Sequence, residues 1–191
     1  MSAAGAASRV LVIGRSYEEH LPRLVSFETE PPATNEPVSR RLGPEQLSAC
    51  VALDQASLNG LWTEAQWQEE LSHTHRVCMG LFRGPSLIAL ASGWLVVDEL
   101  QIGAVAVMPD QRRRGYGERV LMALLREAWL LGAINATLEV SGSNTAAQAL
   151  YRRSGFNTAG IRRGYYRNGD DALIQWRGLQ DMEQVRIAAH S

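Results

Sequence analysis

The residues best suited to chemistry are Arg112, Gly115 and Gly117, in the run Asp110-Gln111-Arg112-Arg113-Arg114-Gly115-Tyr116-Gly117. An apolar run, Ile102 to Met108, precedes it, and Leu121, Leu124, Leu125 and Ala128 follow at helical spacing. A strand that passes through a glycine loop into a helix makes an anion site, because the loop N–H groups and the helix N-terminus converge on one point. Each such charge–dipole contact contributes about 0.3–1 kcal/mol. The nucleotide-binding P-loop requires a lysine after its second glycine, and this chain contains no lysine. The dinucleotide fingerprint requires a third glycine where Val120 stands. What remains, Arg-x-x-Gly-x-Gly, reads by itself either as a diphosphate loop or as a surface turn with a solvated basic run, and the residues downstream favour the first.

The elements that must hold this loop follow from pattern. A strand is expected over Leu100–Met108, and Gly103 within it predicts a bulge or a close approach by another chain or ligand; an irregular strand leaves amides free for a ligand lying along it. A helix is expected over Tyr116–Leu131, ended by Gly132. Ala136–Val140 alternates as a strand, with Thr137 and Glu139 on the face opposite Ala136, Leu138 and Val140. A second helix spans Thr145–Ser154 and turns Tyr151 inward. Upstream, Val38–Leu42 is a short strand. Pro44 opens a helix running to about Ser57, and Thr63 caps another running to Leu71. The Leu61–Trp62 turn between these helices is a candidate substrate wall. Val77–Arg83 and Ser86–Val97 form a hairpin about Gly84-Pro85. A last strand pair, Phe156–Ile161 and Ala172–Trp176, carries the loop 162–171. The order predicts one mixed α/β layer structure.

Composition sets the bounds. A chain of 191 residues with 46% apolar residues is sized for one domain and its tails. A net charge of −1 gives no global electrostatic case for nucleic acid or a membrane surface. Cys50 and Cys78 have neither metal-ligand nor redox-motif spacing, and with no leader pattern the expected location is the cytoplasm. No run approaches the roughly 20 apolar residues of a membrane span. Residues 1–36 read as an extension, with Met1–Ser8 disordered, a possible strand over Arg9–Gly14 and a proline-rich linker from Glu30 to Pro37. Residues 178–191 read as a tail.

The loop, Asn144 and the run Ala149-Leu150-Tyr151-x-x-x-Gly155-Phe156 together resemble the GNAT acetyltransferase superfamily. With Leu138-Glu139-Val140 and Arg162-Arg163-Gly164-Tyr165-Tyr166 added, the chain is most similar to the RimI family of ribosomal-protein-alanine N-acetyltransferases, over about residues 37–177. The resemblance implies the GNAT fold, a mixed central sheet with flanking helices, and acetyl-CoA as cosubstrate with no metal. It implies pantetheine contacts at Val105, Ala106 and Val107, and a diphosphate wrapped by Arg113, Arg114, Gly115, Tyr116, Gly117 and Glu118. Asn144 would contact the CoA arm, Glu139 would be the general base and Tyr151 the general acid. The acceptor would be the N-terminal peptide of a ribosomal protein, with no direct nucleic-acid contact. The alternatives are another acceptor (other protein N-termini, lysine, a small amine or aminoacyl-tRNA) or a module that binds acetyl-CoA without turnover.

The chemistry suits these residue types. An α-amine, with a pKa of about 7.7–8.0, must lose a proton before it attacks a thioester. A carboxylate can take that proton, a phenol can protonate the leaving thiolate, and the Val107 amide can stabilise the oxyanion. Tyr165 and Tyr166 are expected to clamp the acceptor peptide, and Asp170 or Asp171 to hold a cation on it. Two positions depart from the family pattern. Ala104 stands where asparagine is usual, and Ser141 where arginine is usual.

Overall fold

The structure is a computed structural model that describes residues 36–182. The expected strand at 9–14, the disordered start and most of the linker and tail lie outside the described residues. The described part is a seven-stranded sheet in the order β1-β2-β3-β4-β5-β7-β6. The strands are β1 (Val38–Arg41), β2 (Arg76–Arg83), β3 (Ser86–Val96), β4 (Glu99–Val107), β5 (Asn135–Ser141), β6 (Asn157–Arg162) and β7 (Ala172–Gly178). The helices are α1 (Leu47–Leu58), α2 (Glu64–Ser72), α3 (Tyr116–Leu130) and α4 (Thr145–Arg153). Only β4 and β5 pair in parallel; every other neighbouring pair is antiparallel.

Each face of the sheet buries its own core. Under α3, Val120, Leu121, Leu124, Leu125 and Ala128 meet Val77, Leu81, Ala91, Leu100, Ala136 and Leu138. Under α1 and α2, Cys50, Leu53 and Trp67 meet Cys78, Phe82, Leu90 and Ala106. The alternation of β2 supplies both faces, because successive side chains leave the strand on opposite sides. Thr63 caps α2: its hydroxyl accepts from the Gln66 N–H, and the Gln66 side chain returns to the Thr63 N–H at 2.9 Å. The sequence reading ended the domain at 177, yet Leu179 and Met182 are fully buried in the core under α3. No described helix is long and apolar enough to cross a membrane.

Candidate active site

β4 and β5 pair from Glu99↔Asn135 to Ile102↔Leu138 and then part. Gly103 is the extra residue of a bulge, since Ser92 faces Ala104 while Gly93 faces Ile102. Beyond it, the Met108 N–H donates to the Ile88 carbonyl at 2.9 Å. Because backbone groups in an antiparallel ladder alternate sides, the N–H groups of Val105 and Val107 therefore face the gap, and that of Ala106 faces β3. The gap opens into a cleft of about 700 Å³.

The cleft is lined by Val105, Ala106, Val107, Arg113, Gly115, Tyr116, Gly117, Glu118 and Asn144. Arg114, Glu139 and Tyr151 do not line it. Gly115 caps α3 at φ 80°, a left-handed conformation that excludes most side chains, and Arg113 shares that region at φ 59°. At Gly117 a Cβ would meet Leu150 at 3.4 Å and Val107 at 3.5 Å, ordinary contacts, so a larger side chain would extend into the cleft. Asn144 caps α4: its Oδ1 accepts from the Ala147 N–H at 3.0 Å. The cleft thus lies between two helix N-termini, and the gap-facing amides and glycine cradle suit the diphosphate and pantetheine arm of a CoA.

Three braces fix the loop, and none was read from the sequence. The Val107 carbonyl accepts from Ser57 Oγ at 3.1 Å and from Arg112 Nε at 3.3 Å, while Arg112 also donates to the Ser57 carbonyl. Arg83 donates to Gln111 Oε1 at 3.0 Å and to the Tyr116 hydroxyl. Arg153 approaches Glu118 at 3.8 Å across the cleft. Their partners lie on other elements, so no local pattern could announce them.

Leu138 and Val140 enter the core under α3, so Glu139 projects from the opposite face, the one α1 and α2 cover farther along the sheet. Its Oε1 pairs with Arg162 at 3.1 Å, with the Glu139 side chain 30% exposed. Tyr151 is buried, edge-on to Phe156 at 5.9 Å between ring centroids. Burial, and secondarily the neighbouring Tyr166 hydroxyl, push its phenol up to about 12. Burial and then Glu139 also raise the Tyr166 phenol. Tyr166 therefore stands within electrostatic reach of both Glu139 and Tyr151.

The two acidic candidates for holding an acceptor cation are already engaged. Asp170 accepts from Ser141 Oγ at 2.7 Å and from Ser143 Oγ, and these hydrogen bonds, Ser143's first, hold its carboxyl below the usual range. Asp171 pairs with Arg163 at 2.8 Å and accepts from the Gly164 N–H at 2.9 Å. Ser141, at the position where arginine is usual, thus ties the loop after β6 to the loop before α4.

The Leu61–Trp62 turn is fastened by Asp54. This wholly buried carboxylate accepts from the Leu61 N–H at 2.8 Å, the Trp62 N–H at 3.0 Å and Trp67 Nε1 at 2.8 Å. The signal was present in the sequence: Asp54 falls on the apolar stripe of α1 with Cys50 and Leu53. An acid in that position needs donors, because a bare buried charge is very costly.

The acetyltransferase (GNAT) family model matches residues 47–156. The chain therefore belongs to the GNAT acetyltransferase family. Its relatives place it nearer RimI. The N-alpha-acetyltransferase RimI of Mycobacterium tuberculosis is 36% identical over 125 residues, covering 63% of this chain and 77% of that protein. The crystal structure of the ribosomal-protein-S18-alanine N-acetyltransferase from Escherichia coli superposes with a TM-score of 0.69 at 32% identity, covering 75% of this chain and 94% of that one. Arabidopsis thaliana NAA60, in complex with acetyl-CoA, shares the fold with a TM-score of 0.68 at 14% identity, covering 74% of this chain and 99% of that one. The chain is a RimI-like GNAT N-acetyltransferase.

Proposed function

We propose that this enzyme transfers acetyl from acetyl-CoA to the α-amine of the N-terminal alanine of a small-subunit ribosomal protein. In this reading the amides of Val105 and Val107 pair with the pantetheine arm, and Ala106 lines its path. The main chain from Arg113 to Glu118, including Arg114, Gly115, Tyr116 and Gly117, wraps the diphosphate. Asn144 contacts the arm where it passes α4. Glu139 takes a proton from the acceptor amine, directly or through a water. Of the two gap-facing amides, that of Val105 is nearer the bulge and Glu139, so Val105 rather than Val107 donates to the oxyanion, and Tyr151 returns a proton to the leaving thiolate. With its pKa raised to about 12, the Tyr151 phenol is a weaker acid than an ordinary tyrosine but keeps its proton at neutral pH, so its O–H is available to hydrogen-bond the leaving sulfur.

The observation that carries the reading is the parting of β4 from β5 just past Ile102↔Leu138, with Glu139 the next residue along β5. A thioester lying in the gap would bring its carbonyl to that carboxylate. The choice of alanine on a ribosomal protein is supported by the E. coli S18-alanine enzyme, similar over 75% of this chain. The engagement of Asp170 by Ser141 and Ser143 supports a second reading, a different acceptor amine, because that carboxylate is not free for a cation on the peptide.

The test is mass spectrometry of synthetic peptides incubated with the enzyme and acetyl-CoA. The α-amine of an alanine-initiated S18 N-terminal peptide should gain one acetyl group, and a lysine-bearing peptide with a blocked N-terminus should gain none. The reverse pattern would favour the second reading.

A further inference from the structure

Asp54 holds the acceptor side of the site together from within the core. The donors on its carboxylate come from the α1–α2 turn and from the first helical turns beyond it. No ion pair to Asp54 forms among the described residues, so these N–H groups supply its compensation. A carboxylate so held dictates where the turn lies. It sets Trp62 edge-on to Trp67, with ring centroids 4.8 Å apart. It also lays the Trp62 ring over the bulge of β4, 3.2 Å from where a Cβ on Gly103 would stand.

That place bears on the chemistry. Gly103 follows Ile102 and Glu139 follows Leu138, and Ile102 and Leu138 are register partners. Gly103 and Glu139 therefore stand level across the gap at the point where it opens. Trp62 packs with the core of the α1–α2 face, the face from which Glu139 projects, and is not among the residues lining the cofactor cleft. An amine delivered to Glu139 would meet the Trp62 edge with its own first side chain.

We infer that Asp54 is a positioning residue for the acceptor. By fixing Trp62 over Gly103, it sets the depth of the pocket for the acceptor's first residue and selects a small one. The inference rests on the acyl-transfer reading above and adds a selectivity determinant to it. It predicts that loosening Trp62 changes which first residue is accepted while leaving cofactor binding alone.

The experiment compares wild type, Asp54→Asn, Trp62→Ala and the double variant. It measures the acetyl-CoA Kd by calorimetry and kcat/KM for two peptides that differ only in beginning with alanine or leucine. Either single change should raise the KM for the alanine peptide and cut the alanine-over-leucine preference by about tenfold, the scale of discrimination set by pocket size. The acetyl-CoA Kd should stay within about twofold, and the double variant should match Trp62→Ala because both changes act through one side chain. An Asp54→Asn protein that melts earlier yet keeps its preference would overturn the inference, as would a parallel shift in acetyl-CoA affinity. If Asp54→Asn does not fold, Gly103→Ala displaces the Trp62 ring with the Asp54 hydrogen bonds intact, and an unchanged preference there overturns the inference equally. Should wild type bind acetyl-CoA yet leave the alanine peptide unmodified, the acceptor assignment is what fails. The preference is then measured on a small and a large version of whichever amine it does acetylate, with the same outcomes deciding.

Discussion

Glu139 sits between two partners, the Arg162 guanidinium that it pairs with and the acceptor amine proposed for it. Pairing with a half-exposed arginine is worth little in itself, so exchanging that partner for a substrate costs little. Glu139→Gln keeps the shape and removes the base. We expect kcat/KM to fall by about 10²–10⁴, the usual worth of positioned acid–base catalysis. The deficit should narrow above about pH 8, where the α-amine has already lost its proton. A stopped assay across pH 6–10 reads this, and a deficit constant over that range would remove the base role. Tyr151→Phe should lower kcat with the acetyl-CoA Kd unchanged. Because its phenol is pushed up to about 12, wild-type kcat should show no downturn from Tyr151 between pH 8 and 10. A downturn there that vanishes in Tyr151→Phe would contradict the raised phenol.

At the scale of elements, the loop before α3 uses its two glycines differently. Gly115 is required by conformation, at φ 80° with no atom within 4 Å of a Cβ. Gly115→Ala should therefore lower stability by about 1–2 kcal/mol through left-handed strain, seen as an earlier denaturant midpoint. Gly117 has ordinary φ and tolerates a Cβ at 3.4 Å from Leu150, so its role is to leave room. Gly117→Val should keep the wild-type midpoint and lose CoA binding by at least about tenfold in calorimetry. A Gly117→Val protein that still binds CoA as wild type does would place the diphosphate elsewhere. The sequence announced these elements well. The apolar stripe of α3 and the alternation of β5 are local, and both elements lie within one residue of their expected bounds. Gly103 foretold the bulge, because a residue without a side chain in a strand has few other uses. Asn144 was read only through family resemblance, although its capping of α4 is a local feature. The parting of β4 and β5 was not legible from the residues alone, because nothing local says where parallel pairing stops. The bracing contacts of Arg83 and Arg112 escaped for the same reason, since their partners are set by tertiary packing, whereas Asp54 was signalled by an acid on the apolar stripe of α1 and only its donors were not.

For the whole molecule, one sheet serves two packed faces, and the cofactor cleft and the acceptor side draw on both. α3 and its core carry the phosphate loop; α1, α2 and the second core carry the turn over Gly103. Stability of the second face is therefore a condition of function, and its two thiols report on it. Burial pushes Cys50 up to about 12 and Cys78 to about 11, and burial likewise holds Tyr151 near 12. Each folded pKa lies above its unfolded value of 9.0 for the thiols or 10.0 for the phenol. The folded state thus keeps protons that the unfolded chain releases, and the linked stability is fully present below about pH 9 and is lost as pH rises through 11–12. For Cys50 alone the loss by pH 10.5 is on the order of 1–2 kcal/mol, one pKa unit being worth about 1.4 kcal/mol. The urea midpoint under reducing conditions should hold steady from pH 7 to 8.5 and fall by pH 10.5. Cys50→Ala removes one of the titrating groups, so its midpoint should start lower, because a buried side chain is truncated, but decline less steeply with pH. Equal slopes in the two proteins would mean that the Cys50 thiol reaches solvent in the folded state and that the face beneath α1 is not closed.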